Sequence, residues 1–270
     1  MKTLWHLLLY QPLFNLLVLF YQFLGHNMGL AIIGLTVLVR LFLVPSAVKS
    51  LIAQKKLNEL QPELEKIKKD HGHDKQKLTE ATLKLYQEHG VNPFSSCLYS
   101  LLQIPILIAL YQVFLEINQP IPSGLLYSFV PKPGQIQSHF LWLDLAKPDP
   151  FLILPVLAGL TLLWQSKMLQ PATPPKTDQN LDEAAQFQQA FSKQMVYLFP
   201  LMTFLIALRL PSALALYWVV TTLFGIVQQY IIFKADENLV LQALKKLNRR
   251  RKTITQVKER GKQRRSAGVV

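Results

Sequence analysis

The chain runs to 270 residues, half of them apolar, yet carries a formal net charge of +13. A soluble domain rarely combines that apolar fraction with that charge unless the two are segregated along the chain, and here they are. The acids all lie outside the apolar runs and the bases gather in two places, which excludes an ordinary globular domain and indicates an all-α polytopic membrane protein. Cys97 is the only cysteine, so no internal disulfide forms and nothing points to an oxidising compartment.

Residues 4–24 are strongly apolar behind one lysine, Lys2, and lack a small-residue cleavage site, so they do not read as a removed signal peptide. Gln11, Asn15 and Gln22 fall at i, i+4 and i+11 on one narrow helical stripe. With Pro12 as a break, residues 1–27 suit an amphipathic helix lying in the membrane interface. A further membrane span is the competing reading.

Span 1 covers about 28–46. Crossing a ~30 Å hydrocarbon core takes about 20 apolar residues, and this run has that character. Arg40 lies inside it, nine residues before Lys49, the first expected cytoplasmic charge. That places the guanidinium ~13 Å deep at ~1.5 Å per residue. Insertion there costs about 2.5–3.5 kcal/mol, so Arg40 needs a wet or paired environment.

Residues 49–92 turn highly charged, with nine lysines and seven acids. Leu57, Leu60, Leu64 and Ile67 repeat at 3 and 4, which predicts one long helix with an apolar seam. Asp70-His71-Gly72-His73-Asp74 breaks it, and Asp74 is placed to cap the next helix. Leu78, Ala81 and Leu85 form the matching seam, so 50–91 reads as an antiparallel helical hairpin standing in water.

Span 2, about 95–115, contains Gln103 and Pro105, a polar residue and an expected backbone break within one turn. The loop 116–150 has only Lys132 and Lys147 as bases, and its Phe140-Leu141-Trp142-Leu143 reads as a short interfacial anchor. Span 3 is about 151–168 and includes Trp164 and Gln165; a polar loop, 169–190, follows. Spans 4 and 5, about 192–208 and 212–233, flank the turn at Arg209 and complete a five-span core over 28–233. The tail 234–270 holds twelve bases against three acids. Because the hairpin and tail carry the bases, the positive-inside rule puts both in the cytoplasm and, with five spans, the N-terminus outside.

No nucleophile–base–orienter set is visible within the spans, and no acid lies inside one, which argues against an intramembrane protease, a proton-relay transporter and enzyme function in general. His71-x-His73 reads as a solvated turn, so no metal or other cofactor is expected. The polar inventory of the spans is Thr36, Arg40, Gln103, Thr161, Gln165, Thr203, Thr221 and Thr222. One reading is a hydrophilic pocket centred on Arg40, lined by Gln103, Gln165 and hydroxyls. The other is that Arg40 snorkels to the cytoplasmic headgroups while the glutamines bridge helices. A small anion channel or transporter using the Arg40 pocket is the alternative function. The tail likewise reads as a polybasic segment on anionic lipid or as a ligand of ribosomal RNA phosphates.

The order of motifs resembles the YidC/Oxa/Alb family of membrane protein insertases. The motifs are Val39-Arg40 followed by Pro45; Leu60-Gln61-Pro62-Glu63; Asn92-Pro93 before Cys97; and Gln103-Ile104-Pro105-Ile106. Further on come Asp149-Pro150 with Ile153-Leu154-Pro155, and Pro211-Ser212 before Leu214, Leu216, Tyr217 and Trp218. The resemblance covers about 28–233 in the right order and implies a five-span bundle. Its groove would open to cytoplasm and lipid and stay closed on the outside. It gives Arg40 the role of receiving polar or acidic parts of an entering segment, with Gln103 and Gln165 as polar wall and Trp218 at an aromatic position; Thr36 and Thr222, from the spans' own polar inventory, are expected to line the same groove. It favours an interfacial helix over 4–24 and makes the hairpin a mobile element near arriving substrate. The implied activity is ATP-independent insertion or chaperoning of nascent membrane proteins, alone or beside the Sec translocon. No organelle transit peptide is evident, so the expected membrane is a bacterial plasma membrane. Ser95-Ser96, Tyr99 and Thr222 depart from the common pattern of paired glycines, proline and asparagine.

Overall fold

A computed structural model describes residues 2–72, 74–92, 94–116, 119, 121, 124–134, 136–170 and 183–235, with the side chains of 2–3, 75, 94–100 and 183–193 left aside. The tail beyond Ala235, residues 171–182 of the expected 169–190 loop, Pro93, His73 and the Cys97 side chain therefore lie outside the described residues, while 183–190 of that expected loop are helical. The order is α1 (Lys2–Trp5), a π-helical turn (His6–Tyr10), α2 (Gln11–Phe23), α3 (Met28–Glu59), α4 (Gln61–His71), α5 (Lys75–Glu88) and α6 (Phe94–Leu115). Then come β1 (His139–Phe140), β2 (Leu143–Asp144), α7 (Ile153–Met168), α8 (Glu183–Ala207) and α9 (Ser212–Lys234). Two compact units result, Met1–Gln229 and Tyr230–Val270. The described part of the second is the last turn of α9, where the Lys234 ammonium lies 4.3 Å from the Tyr230 ring centroid.

Among the described residues, α3 and α9 are long and apolar enough to cross a membrane. Leu101–Leu115, Ile153–Met168 and Gln194–Ala207 are shorter apolar helical stretches. Each of the five leaves large apolar side chains in the open, such as Phe42, Ile108, Leu160, Leu205 and Val227. Contiguous exposure on that scale is foreign to a soluble monomer, and lipid is the solvent that suits it. The architecture is that of a helical membrane protein.

Proline placement departs from the expected breaks. Pro105 sits inside α6, as Pro45 sits inside α3 and Pro200 inside α8. Membrane helices tolerate such residues because neighbouring groups satisfy the freed carbonyl. Pro12 likewise stops nothing: it lies in the first turn of α2, directly after the π-helical turn. The break the apolar seam concealed is at Leu60. There α3 ends and α4 begins with Pro62 in its first turn, although Leu57, Leu60, Leu64 and Ile67 keep helical spacing across it. Pro62 has no N–H to return to the Asn58 carbonyl and its ring crowds that carbonyl, so the α3 ladder stops and a new helix starts with proline in its first turn. Asp74 caps α5 by accepting from the backbone N–H groups of Gln76 and Lys77. α4 and α5 pack on each other.

The first unit's core draws on α2, α3, α6, α7, the start of α9 and the loop before α7. Gly29 of α3 lies directly under the Phe140 ring, a closeness that any Cβ would forbid. The segment 140–143, expected as a plain interfacial anchor, is the turn of a two-stranded antiparallel hairpin pairing His139 with Asp144 and Phe140 with Leu143. Leu141 and Trp142 remain exposed at its tip. Asp149 is buried and binds the backbone N–H groups of Phe151 and Leu154, supplying the first turn of α7 with an acceptor. The carbonyls of Leu145 and Lys147 accept from Ala213 and Ser212, which fastens the same loop to the start of α9.

Asp144 holds that loop together by accepting from Ser138 Oγ and the Ala146 N–H and pairing with Lys147 at 3.0 Å. Burial pushes its carboxyl up, but the bonds from Lys147, Ser138 and Ala146 outweigh this and hold it below the ordinary carboxylate range. A depressed folded-state value stabilises above the unfolded value, ~3.9, and that contribution is lost as pH falls through the folded one. Asp144→Asn is therefore expected to loosen residues 138–147 by about 1 kcal/mol at neutral pH. The wild-type loop should loosen in the same way only in acid. Amide hydrogen exchange of Leu145 across pH checks both.

Candidate functional site

Arg40 lies in the middle of α3 and is only 9 % exposed, whereas its neighbours Leu41 and Phe42 are 54 % and 68 % exposed. The guanidinium therefore sits on the side of α3 that faces away from the open apolar surface. Thr36, one turn earlier, is also buried, and its hydroxyl donates to the Ile32 carbonyl at 2.6 Å. The i, i+4 spacing puts Thr36 and Arg40 on one face of a helix that packs on α2 and α6.

Gln103, half-buried on α6, donates through Nε2 to the Tyr217 phenol oxygen, tying α6 to α9. Its Oε1 is buried without a hydrogen-bond partner. Gln165 reaches α9 from α7, its amide lying on Gly225 where a Cβ would collide with Nε2. Trp218, beside Tyr217, is half-buried. Its carbonyl accepts from the Thr222 hydroxyl at 2.7 Å. In Thr36, Thr161 and Thr222 alike the hydroxyl hydrogen is directed to the residue's own helix, so what these threonines present elsewhere is acceptor lone pairs. The six sequence-predicted residues thus fall into two groups: Thr36 with Arg40 on α3, and Gln103, Gln165, Trp218 and Thr222 around α9.

Three features of the site escaped the sequence. Gly225 makes room for the Gln165 amide; the pair is separated by 60 residues and nothing local marks it. Gln228 and Gln229 carry buried side-chain polar atoms without partners, and Gln229 is 0 % exposed. The signal for Gln229 was the repeat Trp218, Thr222, Gly225, Gln229 at i, i+4, i+7 and i+11, a single face of α9. Among the described residues no cluster of three metal-ligating side chains occurs; His73 is not among them.

The model of the 60 kDa inner membrane protein family matches residues 19–238, which takes in α3 to α9 with all six of these side chains. This chain belongs to that family. Relatives in it carry the name membrane protein insertase, and their likeness makes the chain YidC-like. The YidC insertase of Fusobacterium nucleatum is 39 % identical over 229 residues, covering 82 % of this chain and 97 % of its own length. The MisCA insertase of Bacillus subtilis is 34 % identical over 237 residues, 86 % of this chain and 79 % of its own. The YidC insertase of Magnetococcus marinus is 36 % identical over 236 residues, 87 % of this chain but 37 % of its own much longer sequence.

Proposed function

We propose that this family member is a membrane protein insertase. It passes hydrophilic tails of substrate proteins through a positively charged groove, open to the cytoplasm, and releases apolar segments to lipid without ATP hydrolysis. The observation that carries the reading is Arg40: a cation 9 % exposed in an apolar helix whose adjacent side chains are open to lipid. That burial favours a groove over snorkelling, because a snorkelling side chain would leave the bundle for the headgroups. A hydrated, positive groove partway through the bilayer shortens the apolar path for a polar tail and attracts its carboxylates. Gln103, Gln165, Thr36, Thr222 and Trp218 would complete its wall.

The groove requires five spans, α3, α6, α7, α8 and α9, with the N-terminus outside and the tail in the cytoplasm. An interfacial position for residues 4–24 is supported by their contacts. Trp5 donates to Gln112, Tyr10 to Glu116, Gln11 and Asn15 to the Leu125 carbonyl, and Tyr21 accepts from Gln137. From residue 5 to residue 21 the helix extends ~24 Å at ~1.5 Å per residue, yet all of these hydrogen-bond partners belong to the end of α6 and the loop that follows. A spanning helix would find partners on both sides of the membrane. The expected partners are nascent membrane proteins, with anionic lipid or ribosomal RNA at the tail, and the protein works alone or beside the Sec translocon.

Single cysteines placed along α3, α6 and α7 test the reading in a Cys97→Ser background. Water-soluble reagents are expected to label the cytoplasmic half of the groove-facing positions and nothing beyond. Labelling from both faces would make the protein a channel, and no labelling would leave it a purely structural subunit.

A further inference from the structure

The route for acidic tails leaves part of α9's chemistry unused. Gln229 is fully buried, and neither its Oε1 nor its Nε2 has a hydrogen-bond partner. Among the described residues the same holds for Gln228 Nε2, Thr221 Oγ1 and, on α6, Gln103 Oε1. At ~100° per residue, Tyr217, Thr221 and Gln228 lie within ~40° of one another around α9. Trp218, Thr222, Gly225 and Gln229 lie within ~60° on the adjoining strip. Two polar rows therefore run side by side for three turns. One is met by Gln103 from α6 and the other by Gln165 from α7.

A buried amide with both ends open is penalised in a finished core, and an apolar side chain of the same size would avoid that penalty. Such an amide is matched to a visitor. A carboxamide carries a donor and an acceptor, the two groups of a peptide bond, whereas a guanidinium carries donors alone. An extended polar segment entering hydrocarbon brings one bare N–H and one bare C=O per residue, each of which needs a partner. Mixed donors and acceptors in one row fit that backbone and have no preference for charge.

We infer that Gln103, Thr221, Gln228 and Gln229 form a rail that hydrogen-bonds the peptide groups of an extended, uncharged polar segment in transit, whatever its side chains. The inference rests on the insertase reading and names a second substrate chemistry for the same site, peptide N–H and C=O beside the carboxylates drawn by Arg40.

The full chain in lipid vesicles is tested with synthetic substrates that join one apolar segment to a Gly/Ser tail. One tail has an ordinary backbone; in the other, alternate amides are esters, which lack the N–H. A third substrate carries aspartates. Each insertion rate is divided by its rate in protein-free vesicles. Wild-type protein is expected to accelerate the amide tail several-fold more than the ester tail. The Q228L/Q229L variant should lose that difference while keeping its extra acceleration of the aspartate tail, which also reports that it is folded. Equal acceleration of amide and ester tails by wild-type protein overturns the rail alone, and so does a folded Q228L/Q229L protein that still discriminates. Acceleration of no tail overturns the insertase reading and the rail with it. The wild-type comparison decides the matter even if the variant misfolds.

Discussion

Arg40→Ala is expected to slow the insertion of a substrate with an acidic tail at least tenfold, and to change a neutral-tailed substrate far less. A guanidinium and a carboxylate ~4 Å apart attract by ~1 kcal/mol in bulk water and ~4 kcal/mol at an effective dielectric constant of ~20. A hydrated groove lies between those limits, and ~1.4 kcal/mol already corresponds to a factor of ten. The neutral tail is the necessary control, because a buried arginine also packs through its aliphatic stem and its removal costs stability as well as charge. Arg40→Lys should retain most of the acidic-tail rate if positive charge is what matters. A lysine that fails would point instead to the two-pronged geometry only a guanidinium supplies. Raising the salt to ~1 M, where the screening length drops to ~3 Å, should erode the acidic-tail advantage of the wild type and leave Arg40→Ala unmoved. An alanine variant that inserts acidic tails at the wild-type rate would remove charge attraction from the mechanism.

Much of this was legible in the chain because the signals are local. An apolar run of sufficient length announces a membrane helix, and an arginine within it stands out by its solvation energy alone. Asp74 was recognisable as a cap because the donors it serves are two and three residues away. Where sequence reasoning went astray, the missing term was a partner distant in the chain. The seam from Leu57 to Ile67 keeps its period through a helix break, because the packing that buries Leu60 and Leu64 persists on both sides of Pro62. Gln165 was visible as a polar residue in an apolar run, but not the glycine 60 residues later that receives it. The polar stripe of the N-terminal helix is visible in the sequence, but what it faces is not. Asn15 is 1 % exposed, so the stripe faces protein there and not headgroups, while Leu4, Leu7, Leu8 and Phe23 elsewhere along the segment stand open. Its acceptors and donors are backbone groups of a loop, which no residue type advertises.

That inward stripe carries the second large effect. Asn15 Nδ2 donates to the Gln11 and Leu125 carbonyls at 2.8 and 2.9 Å, and its Oδ1 accepts from the Tyr127 N–H at 2.7 Å. Gln11 Nε2 also donates to Leu125 O, at 3.0 Å. Asn15→Leu keeps the branched shape, though it is bulkier, and leaves the Tyr127 N–H without an acceptor. A stranded buried backbone group costs ~1–3 kcal/mol and each of the two other lost bonds ~1 kcal/mol more, so about 3–5 kcal/mol of stability should go. Gln11→Ala should lose only about 1 kcal/mol, because Asn15 still serves Leu125. The two share that carbonyl, so the double variant should depart from additivity, the loss exceeding the sum of the singles. Thermal unfolding in detergent measures the totals, and hydrogen exchange at Tyr127 localises them. A Tyr127 amide that exchanges no faster in Asn15→Leu than in the wild type would dissolve the clamp. If the clamp holds, the loop after α6 is pinned to the N-terminal helix by backbone bonds that tolerate almost any sequence in the loop itself. In the proposed mechanism this keeps the outer side shut while the cytoplasmic side takes in substrates.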